Sequence, residues 1–380
     1  MKNPEIMDIY SDYLIASFSL VTATGLSKML DNGYSHDKIS RFLAQREFTQ
    51  KDYWQMVKKI IRKIENSQCG ILAIDDTIEE KPHSTENDII CWHWDHAKNR
   101  NTKGINIVNF LYTTSLADQE EFSIPVSFEL VRKTEQYVDT KTKGQPIKRR
   151  SPISKNEIVR NRLRVLTKLN RLKYKYITWD SWFSSKDNFK FVHYELKQFF
   201  VGALKNNRTA ALSEDLKHQG KFLKIKEFEL QPNQTIKVWL KGLDFPVLLA
   251  KQVFTNKDGS TGELYIVTND LELDYDNITS IYQKRWRVET FHKSLKSNAG
   301  LEKSPTKFEV TQSNHIFASM IAFCKLELLK FKENQNHFTL KSKLYLKAIK
   351  AAFSELQRLK KFNPQIEAQQ QTHSLLEPAM

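Results

Sequence analysis

Apolar residues recur at helical spacing through the first 66 positions. LIASFSLVTATGLSKML and SHDKISRFLAQ each place a stripe on one side, and Ser35 stands as an N-cap ahead of Asp37 and Lys38. KDYWQMVKKIIRKIE turns Tyr53, Trp54, Val57, Ile60, Ile61 and Ile64 toward a core. The pattern predicts a helical N-terminal region over 1–66, either a small DNA-binding module or a cap packed on the next domain. The period changes at Gly70. GILAIDDT is a short apolar run closed by two carboxylates, the signature of a buried strand. GINIVNFLYTT (104–114) and FSIPVSFELV (122–131) predict two more strands, joined by a polar turn around Asp118 and Gln119. Residues 132–153 carry few apolar positions and predict a loop or arm.

KNEIVRNRLRVLTKLNRL predicts a helix, YKYITWD (174–180) a strand ending in an acid, SKDNFKFVHYELK a helix, and FFVGALK (199–205) a strand. From 208 to 270 the pattern is strand-only, broken by the turn chemistry of PNQ and of KDG at 257–259, and predicts a β-rich insertion. Helical periodicity returns from Asn277 to about 296, again over 310–331, and again over 340–360, ahead of a Gln-rich tail. The predicted class is α/β. Its domains are a helical region 1–66, a core built from 70–207 and 271–331, a β-rich insertion 208–270, and a C-terminal helix and frayed tail 332–380.

Composition narrows the partner. With 59 Lys+Arg against 44 Asp+Glu, a formal net charge of +15 favours a polyanion, most often nucleic acid. No apolar run reaches the roughly 18 residues of a membrane span. The opening MKNPEIMDIY lacks the apolar stretch of a secretory signal, so a cytoplasmic protein is expected. Cys69, Cys91 and Cys324 are too few and scattered for a disulfide framework, consistent with a reducing compartment.

Three acids stand out by context. Asp76 and Asp180 close apolar strand runs, where an α/β sheet projects side chains into its ligand crevice. Neighbours on a strand face opposite sides, so only one of Asp75 and Asp76 can face that crevice. Glu289 lies in YQKRWRVETFHKSLK (282–296). At 100° per residue Tyr282, Arg285, Glu289 and Lys296 fall at about 0°, 300°, 340° and 320°, one stripe, with Lys293 near 20°. A carboxylate among cations and a phenol suits phosphate chemistry: the acid for a metal, the cations for backbone phosphates. CWHWDH (91–96) offers Cys91, His93, Asp95 and His96, but alternate residues of an extended segment diverge, and they read as packed and surface residues. KGQPIKRR (143–150) reads as a solvated loop and Trp239 as an ordinary core residue.

Tyr282, Arg285, Glu289 and Lys296 reproduce the pattern Y-x2-R-x3-E-x6-K, four positions over fifteen residues. This resembles the signature of the DDE transposases of the bacterial insertion-sequence-four group. AIDDT resembles that group's first-Asp motif, with Asp76 before Thr77, and TWDSWFSS resembles its second-Asp motif, with Asp180, Phe183 and Ser184. The resemblance spans about 70–330. It implies a ribonuclease-H-like core carrying the β-rich insertion. It also implies cut-and-paste transposition by metal-dependent hydrolysis and strand transfer. Asp76, Asp180 and Glu289 would be the catalytic acids, holding two Mg²⁺ ions with Mn²⁺ as a substitute, and Asp75 would point away. Tyr282, Arg285, Lys293 and Lys296 would contact DNA phosphates. The implied partners are double-stranded DNA, the terminal inverted repeats of the element, target DNA, and a second copy in a homodimeric synaptic complex near the nucleoid. A catalytically inactive DNA-binding relative and a ribonuclease-H-like nuclease or resolvase are the alternatives.

Overall fold

The computed structural model describes residues 3–96, 98–115, 121–140, 144, 146–231, 233–256 and 258–361. The predicted turn around Asp118 and Gln119 and the Gln-rich tail lie outside them. Four helices open the chain: α1 (Pro4–Ala16), α2 (Ala23–Met29), α3 (His36–Ala44) and α4 (Gln50–Ile64). Their starts are set locally. The side chains of Thr22, Ser35 and Thr49 accept from the backbone N–H groups of Gly25, Lys38 and Asp52, and Asp52 answers Thr49 in a capping box. The region packs on the rest of the molecule. Tyr53 is fully buried, donates to the Pro125 carbonyl at 2.7 Å, and meets Phe128 and Phe317 edge-on. Asn314 accepts from the Phe48 N–H and donates to the Leu43 and Arg46 carbonyls.

After α4 the chain runs through β1 (Ile71–Glu80), β2 (Ile90–Asp95), β3 (Arg100–Ser115), β4 (Glu121–Leu130), β5 (Glu135–Val138), β6 (Ile147–Arg150), α5 (Lys155–Arg164), β7 (Tyr176–Trp179), α6 (Lys186–Lys190) and β8 (Phe199–Leu204). Then come β9 (Thr209–Ala211), α7 (Glu214–His218), β10 (Leu223–Lys224), β11 (Thr235–Leu240), β12 (Val247–Thr255) and β13 (Thr261–Thr268). The chain closes with α8 (Tyr275–Gln283), α9 (Arg287–Ser297), α10 (Glu309–Glu333) and α11 (His337–Lys361).

One mixed sheet organises the molecule, in the order β10-β9-β11-β12-β13-β8-β7-β1-β3-β2, with β4 also on β3. β3 runs antiparallel to β1 and β4, whereas β7 runs parallel to β1 and β8 parallel to β7. β1, β3 and β7 are buried along most of their length, as a sheet covered on both faces requires.

Three expectations need correction. Residues 132–153 contain the β5–β6 hairpin, with Tyr137 paired to Lys148. Its polar composition hid it, because a ribbon with no buried face leaves no apolar alternation to read. The run 208–270 is not strand-only: the short helix α7 interrupts it, and β13 pairs with β8 and extends the central sheet. The helix expected from Asn277 to 296 is broken, since a 3-10 turn at Lys284–Trp286 separates α8 from α9.

Candidate active site

The site lies where β1 and β7 end side by side. Their parallel register pairs Ile74 with Trp179, so the next residues in step are Asp75 and Asp180. In-register residues of neighbouring strands share a face. On the other flank of β1, Asp75 pairs with Asn109 of β3, whose Nδ2 lies 3.0 Å from His292 Nε2 on α9. Asp75 therefore faces the helix that carries Glu289. Asp76 takes the opposite face. Both of its oxygens accept from Lys155 Nζ at the start of α5, at 2.9 and 3.0 Å, and Oδ2 accepts from Asn106 Nδ2 at 2.6 Å. Lys155 Nζ also sits 4.2 Å from the Trp182 ring centroid. The expectation that Asp75 points away is reversed: strand alternation separates the pair as predicted, but the face of Glu289 belongs to Asp75.

Asp75, Asp76, Asp180 and Glu289 nonetheless line one cavity of about 600 Å³, together with Trp182, Arg285, His292, Lys293 and Lys296. Asp180 is oriented by its own turn, in which Oδ1 accepts from the N–H groups of Trp182 and Phe183 at 3.0 and 3.3 Å. Arg285 Nη1 bridges Asp75 Oδ2 at 3.2 Å and Glu289 Oε1 at 3.6 Å. Burial, then the charge of Asp180, pushes the Asp75 carboxyl up to about 7, against the partial relief that Arg285 provides. Burial also raises Asp180, against the two N–H donors of its turn.

The stripe residues divide in two. Tyr282 and Arg285 are turned inward. Tyr282 is only 4% exposed and packs in a cluster with Ile71, Tyr176 and Val201. The Arg285 guanidinium lies over its ring at 5.6 Å and is engaged by the acids. The 3-10 turn between the helices produces this: it breaks the uniform 100° advance on which the single stripe was drawn. Lys293 and Lys296 keep a solvent side. Lys293 is exposed. Lys296 Nζ donates to the Ile78 carbonyl at 2.9 Å, and Glu302 lies 3.7 Å away.

Sequence reasoning passed over three polar neighbours of the acids: Lys155, Asn109 and His292. His292 is buried, and burial, then Lys296 and Arg285, holds its imidazole down to about 3, so it is neutral in ordinary buffers. Among the described residues, Asp75, Glu289 and His292 form a group whose ligand atoms lie within 4.8 Å of one another. The signal for His292 was available, because Glu289 and His292 are three apart on one helix and so share a face.

In CWHWDH, Cys91 and His93 are buried on β2, while Trp92 and Trp94 are exposed. Trp239 is half-buried, with Lys237 Nζ 5.4 Å from its ring. None of the described helices is long and apolar enough to cross a membrane.

Residues 154–324 match a family model described as transposase DDE domain. No curated protein matches the chain. Residues 5–236, more than half of the 380, match the model described as DDE superfamily endonuclease, and the chain belongs to that family.

Proposed function

We propose that this protein is a cut-and-paste DNA transposase of the insertion-sequence-four type, in which Asp75, Asp180 and Glu289 hold divalent metal. The observation that carries the reading is the in-register meeting of Asp75 and Asp180 beneath Glu289 in one open cavity. The strand order β4-β3-β1-β7-β8, an antiparallel meander followed by two parallel strands, supports a ribonuclease-H-like core. The donor set fits a hard divalent ion. Arg285 pairs with Asp75 and Glu289, and Glu289 is half exposed. Bound there, Mg²⁺ or Mn²⁺ would supply Lewis acidity toward a phosphodiester and an activated hydroxyl nucleophile. Asp76, the first acid by sequence motif, lines the same cavity but is neutralised by Lys155, and we assign it to positioning.

The chain's own residues supply the rest. Arg285 spaces Asp75 from Glu289, and Tyr282 packs beneath it. Lys293 and Lys296 stand at the solvent side of the cavity, where a duplex backbone would pass, and are assigned to phosphates. The excess of basic residues favours DNA as partner, with terminal inverted repeats and target DNA as its specific forms, and pairing of two ends calls for a homodimer. The test is cleavage of duplex DNA carrying the repeats that flank the coding sequence. Metal-dependent cutting at the repeat ends, abolished by chelation, is expected. Binding without cutting at any metal concentration would overturn catalysis and leave a DNA-binding relative.

A further inference from the structure

The side of α4 turned away from the core is a stripe of cations. Measured from Lys51 at 100° per residue, Lys58, Lys59 and Lys63 fall at about 340°, 80° and 120°, whereas the buried Tyr53, Val57 and Ile61 fall at about 200°, 240° and 280°. All three lysines are exposed. Beside the end of the helix runs the segment between α5 and β7, where Lys168, Arg171 and Lys173 are exposed as well. Arg62 and Glu65 fasten the two together. Arg62 Nη1 donates to the Arg171 carbonyl at 3.2 Å, and the Glu65 carboxylate accepts from Arg62 at 2.7 Å and from the Lys173 N–H at 3.0 Å. Glu65 is thereby engaged, and Asp52, the other acid of α4 and its C-cap, pairs with Arg46 at 3.0 Å. The six exposed cations pair with no carboxylate among the described residues. Six like charges held together without counterions favour a polyanion over solvent.

This patch lies away from the acids. The Gly70 carbonyl, just ahead of β1, accepts from the Lys175 N–H just ahead of β7 at 2.8 Å, so the segments that carry the cations lead into the starts of both strands. Asp75 and Asp180 stand at the other end, four steps on, about 13 Å along the strands. We propose that α4 and the segment 168–173 form a second surface for duplex DNA, which holds a duplex other than the one at the acids. From Lys51 to Lys63 the stripe is about 18 Å long. Over that length a duplex presents on the order of ten phosphates, enough to engage all six cations. The inference rests on the DNA reading above for the identity of the polyanion, and adds a surface that the acid cavity does not include.

The experiment uses the full chain and a GC-rich duplex of just over one helical turn, roughly 12 base pairs. Sedimentation counts duplexes per chain, and mass spectrometry reads which lysines the duplex protects from chemical acetylation. Lys58→Gln, Lys59→Gln and Lys63→Gln are combined in one variant. Lys343→Gln, Lys347→Gln and Lys350→Gln on the exposed face of α11 are combined in a control that loses the same charge. Wild type should take two duplexes per chain and protect Lys168, Lys173 and Lys293. The α4 variant should bind the second duplex about tenfold or more weakly and lose protection at Lys168 and Lys173, while Lys293 stays protected. The α11 control should match wild type. Equal loss in both variants would reduce the patch to general charge and overturn the proposal. So would a single duplex per chain that protects Lys293 and the patch together, or acetylation of Lys168 and Lys173 undiminished at saturation. Protection of the patch with Lys293 left open would support the second surface and count against the reading of the acid cavity. Absence of any duplex binding by wild type would sink both.

Discussion

Two largely buried carboxylates of this molecule respond to burial in opposite ways. Glu327 on α10 is 3% exposed, and burial alone would raise it. It is instead held below the usual carboxylate range by His337 Nε2 at 2.9 Å, by Lys330, and by the Ser123 N–H at 2.9 Å. His337 is itself anchored by Ser294 Oγ at 2.8 Å, so the network ties the start of α11 to α9 and β4. Asp75 is also largely buried, yet its neighbours include Asp180, Asp76 and Glu289, against which stand Arg285 and the Asp76 N–H that donates to Oδ1 at 2.8 Å. Glu327 is an acid whose countercharge the fold provides. Asp75 is an acid left short of one, and such an imbalance persists where something outside the chain completes it.

The largest effect that sharpens this contrast is on rate. Asp75→Asn, Asp180→Asn and Glu289→Gln should each lower strand cleavage by about 10³-fold or more, since metal-assisted charge stabilisation is worth several kcal/mol. DNA retention in a gel-shift assay should change little, because affinity resides mostly in phosphate contacts. Asp76→Asn should cost far less. If Asp76→Asn abolished cutting and Asp75→Asn left it intact, the acid nearest to Thr77 would regain the catalytic role and the face argument would fail.

On the structural side, Glu327→Gln should destabilise the fold by about 3 kcal/mol, because it removes the buried carboxylate that pairs with Lys330 and that the His337 ring and the Ser123 N–H face. Urea denaturation followed by circular dichroism reads this, while cutting by the protein that remains folded should stay within a few-fold of wild type. A change below the measurement error would mean the network is dispensable and the comparison misdrawn.

A third prediction concerns pH. A carboxyl raised to about 7 binds its proton more tightly folded than unfolded. Its contribution is therefore stabilising at low pH and is lost as pH climbs from the ordinary carboxylate value near 4 through about 7. In metal-free buffer at pH 8, Asp75→Asn should then be more stable than wild type, on the order of 1–3 kcal/mol, with the gap closing toward pH 4. Glu79, fully buried beside Lys81 at 2.7 Å and also raised to about 7 by burial, keeps a similar slope in both proteins. Millimolar Mn²⁺ should raise the melting temperature of wild type and not of the variant. A variant less stable than wild type at pH 8 without metal would show that Arg285 compensates Asp75 fully.

Much of the fold and the site was legible in the chain, and the misses have physical causes. The apolar runs ILAI and YITW marked β1 and β7, and in each the first residue after the run is an acid, Asp75 and Asp180. Taking both strands at the same step would have matched these two. The motif reading instead chose the acid adjacent to Thr77. Alternation separates Asp75 from Asp76, but which face receives α9 is decided by packing more than 200 residues away. The stripe of Tyr282, Arg285, Glu289 and Lys296 was visible by spacing, whereas its division into buried and exposed members depends on the 3-10 turn at Lys284–Trp286. Lys155 was invisible, since nothing local distinguishes it from its basic neighbours until the fold brings it to Asp76.

The smallest predicted effect separates the two pairs of that stripe. Lys293 is exposed at the cavity wall, with its ammonium 5.3 Å from the Phe338 ring. A phosphate arriving there would find an available cation at little reorganisation. Lys293→Ala should reduce the slope of log K against log salt by about 0.9, the release of one counterion from duplex DNA, and weaken binding several-fold at low salt. Arg285→Lys should act elsewhere. Its guanidinium is inside, where Nη1 reaches both Asp75 and Glu289, and a lysine, one bond shorter, stops its ammonium short of that point. That variant should cut poorly while its salt slope stays at the wild-type value. Salt-dependent fluorescence anisotropy on one duplex, run in parallel with a cleavage time course, reads both quantities. If Arg285→Lys lost the slope and Lys293→Ala kept it, the inward and outward assignments would be exchanged, and Arg285 would reach DNA by a movement that opens the acid cluster.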